Sequence, residues 1–538
     1  MIELVGDWMV LSSRILQFRK VGVFTFSLIL LSPVFSLIIL SLGDSEGIWP
    51  HLVSSVLARY VSTTLFLLIG VGCLSLIFGV TCAWIMAAYR FKFSKLIDFI
   101  MLLPIACPAY LIAYAYTDFF EYAGPVQGTM RDFMGWQSAR DYYFPEIRSL
   151  GGAIFVLSAV LYPYIYLLAR TAFRHLPENF YDVAVLSNRN VFWNIALPLA
   201  RPAIIAGLAL VSMEVVSDFG TVEFFALETL TLGIFNVWIG MDSITGAAQI
   251  ATVTFVFIMV LLFVELYSRG SKQFNDTSRS QSIRYAKTLT GKKSFLCILI
   301  CLIPINFGFV VPVGILTYNV LMTVDMIALK DTWIVLQNSL YVSVFGAFII
   351  ILSAIIIASS SRVSASKIMR IAGNLSAAGY AFPGTMLAIG VLSCLGMIDQ
   401  LLSRTNFYLS GTLFALFFAY LVRFQAVGYG AISSGLTKIP LNLFSCSRSL
   451  GLNASQTTIK VTIPLLKKSI IVGAVLAFVD IMKELPMTLL LRPFNFETLA
   501  TYSYQFAHDE LMDQASLPAL IIIIVGLVPV IFLNKLLN

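Results

Sequence analysis

Charge is scarce in this sequence. Only 12% of the 538 residues are Asp, Glu, Lys or Arg, about half the roughly 25% of a soluble domain. Hydrophobic residues make up 59% and the mean hydropathy is +0.89. A core of ordinary size cannot absorb that much apolar side chain, so a soluble enzyme, a nucleic-acid reader and a disordered chain are all excluded. Histidine is nearly absent. His51, His175 and His508 are scattered, which leaves no nucleophile–base pair or hydrolytic metal centre to assemble. A phosphate-binding loop is missing too: the nearest string, Gly291-Lys292-Lys293-Ser294, lacks the earlier glycine and its spacing. The seven cysteines show no metal-ligand or disulfide spacing, and Cys297 and Cys301 read as small apolar residues on one helix face.

What is present is length of apolar run. A crossing of the bilayer needs about 20 predominantly apolar residues, and that ruler predicts twelve, near 22–42, 62–87, 97–119, 150–170, 202–220, 247–267, 294–319, 335–359, 371–396, 409–429, 468–490 and 517–534. The first run is too long for a signal-peptide core and no small-x-small cleavage site follows it. Residues 2–18 carry apolar side chains at helical spacing and are expected to form a short surface helix ahead of it. The lipid bilayer is thus the solvent of an all-α, polytopic chain.

Basic residues choose the orientation. Arg and Lys gather before the first span, in 88–96, 170–201, 268–293, 360–370 and 430–468, and at Lys535. The intervening loops are acidic: 221–246 has Glu223, Glu228 and Asp242 with no Lys or Arg, and 491–516 has four carboxylates against Arg492. Both termini are therefore expected in the cytoplasm, in keeping with an even number of spans.

The chain also repeats itself. Leu197-Pro198-Leu199 returns as Ile463-Pro464-Leu465, 266 residues on, and at that offset Glu214 answers to Asp480 and Asp218 to Glu484. Glu228-Thr229-Leu230 returns as Glu497-Thr498-Leu499, and Pro108 resembles Pro383. The expected organisation is a first six-span half over 1–267, a basic cytoplasmic linker over 268–293 and a second half over 294–538. Halves of equal offset and orientation are parallel repeats about an axis along the membrane normal.

Two loops carry the most specific pattern. Ser445-Cys446-Ser447, three residues, Gly451, nine residues and Val461-x-Ile463-Pro464 describe a short helix, a turn and a proline break. This resembles the EAA loop of ABC-importer permeases, with Ser445-Cys446-Ser447 where Glu-Ala-Ala would stand. The first half has a shorter version, Asp182-x-Ala184, Asn188, six residues and Ile195-x-Leu197-Pro198. Further on, the stretch from Phe478 to Thr501, containing Lys483-Glu484-Leu485-Pro486, resembles the second-half signature of ferric-iron permeases, and Glu214 to Glu223 resembles their first-half signature.

The resemblance implies a type I ABC-importer permease that moves ferric iron inward by ATP-driven alternating access, located in a bacterial inner membrane. It implies no catalytic residue and no cofactor in this chain, with ATP and Mg bound by a separate ATPase dimer and the solute delivered by an external binding protein. Thiamine, polyamine and organophosphonate are the substrate alternatives. A secondary transporter or a membrane-embedded enzyme or scaffold is the alternative of another class. Glu214, Asp218, Asp480, Lys483 and Glu484 fall at membrane depth, where a charge costs on the order of 3 kcal/mol. They are expected to line the path, to bind helices together or to coordinate iron, with Lys483 paired to one of the carboxylates.

Overall fold

The computed structural model describes residues 2–176, 186–187, 189–269, 287–323, 326–364, 367–402, 404 and 408–537. Among them the regular elements are helices apart from one parallel pairing, Tyr89–Arg90 with Lys287–Thr288. Among the described residues ten helices are long and apolar enough to cross a membrane, including Val21–Ser41, Leu57–Ala88, Phe192–Ser217, Leu329–Arg362 and Met512–Pro529. The pair Ser94–Ala106 and Ala109–Met134, bent by 91°, passes the same test only when its two helices are taken together.

The remaining expected span, 468–490, is broken: a helix Lys467–Met482 is followed by a short one, Pro486–Leu491. Sixteen residues rise about 24 Å, short of the roughly 30 Å hydrocarbon core. Proline explains the other breaks. Pro108 and Pro383 both sit in extended backbone, each after a tight turn (Leu103–Ala106 and Ala378–Ala381) and each opening a helix, Ala109–Phe120 and Gly384–Leu401.

One expectation needs correcting. The separate surface helix over 2–18 is the start of a single helix, Ile2–Ser41. No Gly or Pro lies between Asp7 and Val21 to interrupt it.

The helices group into two compact units, one of residues 1–44 with 333–501, the other of 45–332 with 502–538. These cut across the sequence halves. In the first unit the N-terminal helix packs on Gly384–Leu401, with Ser36 donating to Ser393 at 2.9 Å. A second core there joins Phe444 and Leu466 to Ala354, Ile432 and Leu436. In the second unit Met512–Leu537 packs on Val311–Thr323. Asn319 donates to Asp118 at 2.8 Å, and Tyr116 donates to the Phe307 carbonyl at 2.6 Å. Helices of both halves thus contribute to each unit. The expected linker falls largely on 270–286, outside the described residues.

The repeat persists at the level of backbone. A widened helical turn at Phe192–Ala196 has its counterpart at Thr458–Thr462, 266 residues on, each just before the prolyl helix start at Leu197 or Ile463. Proline lacks the N–H that would bond four residues back, and the neighbouring amides reach five back instead, Leu197 to Phe192 and Ile463 to Thr458. Leu230 N donates to Thr64 Oγ1 at 3.1 Å, and Leu499 N donates to Ser339 Oγ at 2.6 Å.

Candidate functional site

The loop between the last two parts of the second half folds on itself. Helix Leu441–Ser449 ends at Gly451, whose φ is +86°, a left-handed conformation that Gly adopts without a Cβ clash. Leu450 N returns to the Cys446 carbonyl at 3.0 Å and Leu452 N to the Ser447 carbonyl at 3.1 Å, closing the helix end. Asn453 and Gln456 then cap the next turn reciprocally, at 3.0 and 2.8 Å, and Ser447 meets Thr457 at 3.1 Å. Ser445 is exposed, Val461 and Ile463 are half-buried and Pro464 is exposed. Leu450, Ile459 and Leu465 turn apolar side chains outward.

In the first half, Asp182, Ala184 and Asn188 lie outside the described residues. Ile195 and Leu197 are half-buried and Pro198 is exposed. Asn190 caps the incoming turn, accepting from Phe192 N at 3.0 Å. The helix leading into this loop is tied down by an ionic cluster in which Asp98 accepts from Tyr166, Arg170 and Arg174.

At membrane depth the two halves repeat a device. Helix Leu197–Ser217 ends as the backbone turns extended at Asp218. Asp218 then caps the short helix Gly220–Phe224, accepting from Thr221 N at 3.0 Å, Val222 N at 3.1 Å and Thr221 Oγ1 at 3.0 Å. Glu484 holds the equivalent place, accepting from Met487 N at 3.3 Å. Its surroundings differ. Arg423 Nη1 lies 3.5 Å from Glu484 Oε1, and both side chains are nearly buried. Lys483 pairs with Asp480 at 3.1 Å, one of the partners expected for it. Among the described residues no Lys or Arg pairs with Asp218, which is partly exposed. Glu214 is close enough to act on it electrostatically.

Sequence reading missed several contributors. Arg423 lies mid-span in helix Leu413–Thr437, and the rule that singled out Glu484 applies equally to it. Glu223 adds a second carboxylate on the helix that Asp218 caps: Tyr504 is its electrostatic neighbour, and His508 Nε2 is 3.7 Å from its Oε1. Tyr110 and Tyr114 face this corner from helix Ala109–Phe120. Among the described residues no group of three or more His, Cys, Asp or Glu is placed to hold a metal ion.

Outside the spans, the connection Gly135–Ser149 folds around Asp141, which accepts from Ser138 N at 2.8 Å and Gln137 N at 2.9 Å. Those two N–H groups hold its carboxyl below the usual carboxylate range. Trp136 stacks on Tyr142 above it, ring centroids 4.8 Å apart.

Paired broken helices, capped carboxylates and folded loops before a proline define a polytopic membrane permease. Residues 75–270 match the family of binding-protein-dependent transport system inner membrane components. Over that stretch the chain carries the permease domain of a binding-protein-dependent importer, and its likeness to fused permeases runs through both halves. It is 22% identical over 495 residues to the Fe(3+)-transport system permease protein FbpB 2 of Haemophilus influenzae, covering 89% of this chain and 90% of that one. It is 20% identical over 528 residues to the ferric transport system permease protein FbpB of Actinobacillus pleuropneumoniae, covering 93% and 75%. The sulfate transport system permease protein CysT of Salmonella typhimurium is 27% identical over 196 residues, 35% of this chain and 67% of that protein.

Proposed function

We propose that the chain is the membrane path of a ferric-iron importer, seated in a bacterial inner membrane with both termini cytoplasmic. The observation that carries the reading is the charge at the first-half site. Asp218, on which Glu214 acts electrostatically, and Glu223 on the helix it caps offer oxygen anions, and among the described residues no Lys or Arg pairs with either Asp218 or Glu223. Hard cations favour oxygen ligands, whereas sulfate or a phosphonate would meet repulsion there. The likeness to the two ferric relatives, which runs through both halves, supports the same substrate.

The chain has no phosphate-binding loop, so ATP and Mg belong to a separate ATPase dimer. The folded segment Ser445–Pro464 and its first-half counterpart ending at Pro198 are its docking points. ATP binding draws the two loops together and turns the path outward, an external binding protein releases iron into it, and hydrolysis resets the inward state. Asp480, Lys483 and Glu484 fix the second-half helices around the path.

Reconstitution with the ATPase and the binding protein tests this. Uptake of radiolabelled ferric iron should require ATP and resist excess sulfate, thiamine, polyamine or phosphonate. Deleting Gly451–Pro464 should abolish uptake and ATPase co-elution while the chain still inserts. Transport driven by an ion gradient without nucleotide hydrolysis overturns the reading.

A further inference from the structure

Three helix ends meet within the unit of residues 45–332 and 502–538. Helix Leu57–Ala88 runs out into Tyr89–Arg90, which pairs in parallel with Lys287–Thr288, the strand that leads into the second half. Leu289 N donates to the Arg90 carbonyl at 2.8 Å. Helix Gly291–Ile305 starts just beyond and packs on helix Ser94–Ile100, which opens just past Arg90. Paired strands lie about 4.8 Å apart, so this pairing gathers Arg90, Lys92, Lys95, Lys287, Lys292 and Lys293 at one end of the spans.

All six side chains are exposed. Among the described residues none of them pairs with a carboxylate, and Lys92 lies only over the Phe93 ring, 5.1 Å from its centroid. Residues 88–97 and 287–305 contain no Asp or Glu. Asp98, the acid of helix Ser94–Ile100, is already taken by Arg170 and Arg174. Like charges gathered this closely repel, since screening takes about 8 Å at physiological salt. The arrangement calls for an anion from outside the chain.

The surface that continues from these charges is apolar. Lys292, Phe295, Leu296, Leu299 and Ile303 follow the i, i+3, i+4, i+7, i+11 spacing of one helix face, and the four apolar side chains are 42–68% exposed. Phe93 and Leu96 are exposed beside Lys92 and Lys95. The approach is open at Gly291, where a Cβ would meet nothing within 4 Å. A cation at the head of an apolar stripe matches a phosphate at the head of an acyl chain.

We propose that this corner binds an anionic phospholipid, its phosphate held by the six cations and an acyl chain lying along Phe295, Leu296, Leu299 and Ile303. A free phosphate would find the charges but leave the apolar face unused, and a zwitterionic lipid brings a cation of its own. The bound lipid ties the two paired strands together across the junction of the sequence halves, whichever solute the permease moves.

The full chain, delipidated in detergent, is incubated with equal amounts of phosphatidylglycerol and phosphatidylcholine and repurified, and the retained lipids are counted by mass spectrometry. Phosphatidylglycerol should be preferred by roughly tenfold or more, and high salt should erase the preference. The variant carrying Lys92→Gln, Lys95→Gln, Lys292→Gln and Lys293→Gln should lose it as well, with elution volume and helical circular dichroism unchanged. The pair Lys292→Gln and Lys293→Gln is the second variant if four substitutions prevent folding. Arg140→Gln, which removes an exposed cation from the connection Gly135–Ser149, should leave the preference intact. Equal retention of the two lipids, a preference that survives the lysine substitutions, or displacement of the lipid by inorganic phosphate overturns the proposal.

Discussion

Asp218 and Glu484 occupy matching places, each a carboxylate that caps a short helix after a broken span, yet they live in opposite surroundings. In the second half Glu484 is 7% exposed and neutralised by Arg423. The place equivalent to Arg423 in the first half, eleven residues into a helix of the same length, is Val160. Asp218 keeps partial exposure and tyrosines for neighbours. Repetition supplies the scaffold twice, and a single buried arginine neutralises the carboxylate of one copy and not of the other.

The largest effects should come from the second half. Arg423→Met removes the guanidinium beside the buried Glu484 carboxylate and should cost about 3–5 kcal/mol, read as a lowered unfolding midpoint in detergent. The double variant Arg423→Met with Glu484→Gln should recover most of it. Asp218→Asn keeps an oxygen for the Thr221 and Val222 amides and should cost about 0–1 kcal/mol while ferric uptake falls at least tenfold. If both carboxylates respond alike, the contrast between the halves is wrong.

Gly384 sharpens the same contrast at smaller cost. A Cβ there would collide with Arg423 Nη1 and stand 2.8 Å from Glu484 Oε1 and 2.9 Å from Pro486. Gly384→Ala should therefore destabilise by roughly 1–3 kcal/mol through overpacking. The corresponding residue after Pro108 is already alanine, Ala109, as expected where no arginine crowds the helix start. An unfolding midpoint unchanged in Gly384→Ala would show that the pair has room to move.

The sequence made much of this visible. The offset of 266 residues between Pro198 and Pro464 carries over to the widened turns before them, and the Asp218–Glu484 correspondence to their shared cap. Packing partners were less visible. A lipid-facing helix has no hydrophobic drive toward one neighbour over another, so nothing in the run after Val21 says that it packs on Gly384–Leu401. Tyr114 was hidden for a related reason: in an apolar run a phenol reads as one more aromatic, and only its unpartnered hydroxyl sets it apart.

The loops before the prolines offer a milder test. Gly451 holds φ at +86°, so Gly451→Ala should cost about 1–2 kcal/mol locally and weaken ATPase co-elution several-fold. Gly451→Asn should be milder, since Asn tolerates that conformation better.

The smallest effect concerns the connection that follows the third span of each half. In the first half it is the folded segment Gly135–Ser149, organised around Asp141. In the second it is short, and Asp399 accepts from Leu409 N at 2.7 Å and Ser410 N at 3.0 Å. Asp141 has its pKa depressed in the folded chain, so its contribution is full above the ordinary Asp value of about 4 and is lost as pH falls through the lower folded value. Hydrogen exchange over residues 135–149 should accelerate only below about pH 4 in the parent chain. In Asp141→Asn, which keeps one acceptor oxygen but no charge, exchange should be faster at neutral pH and lose that acid-side step. A step that survives the substitution would assign the titration to another group.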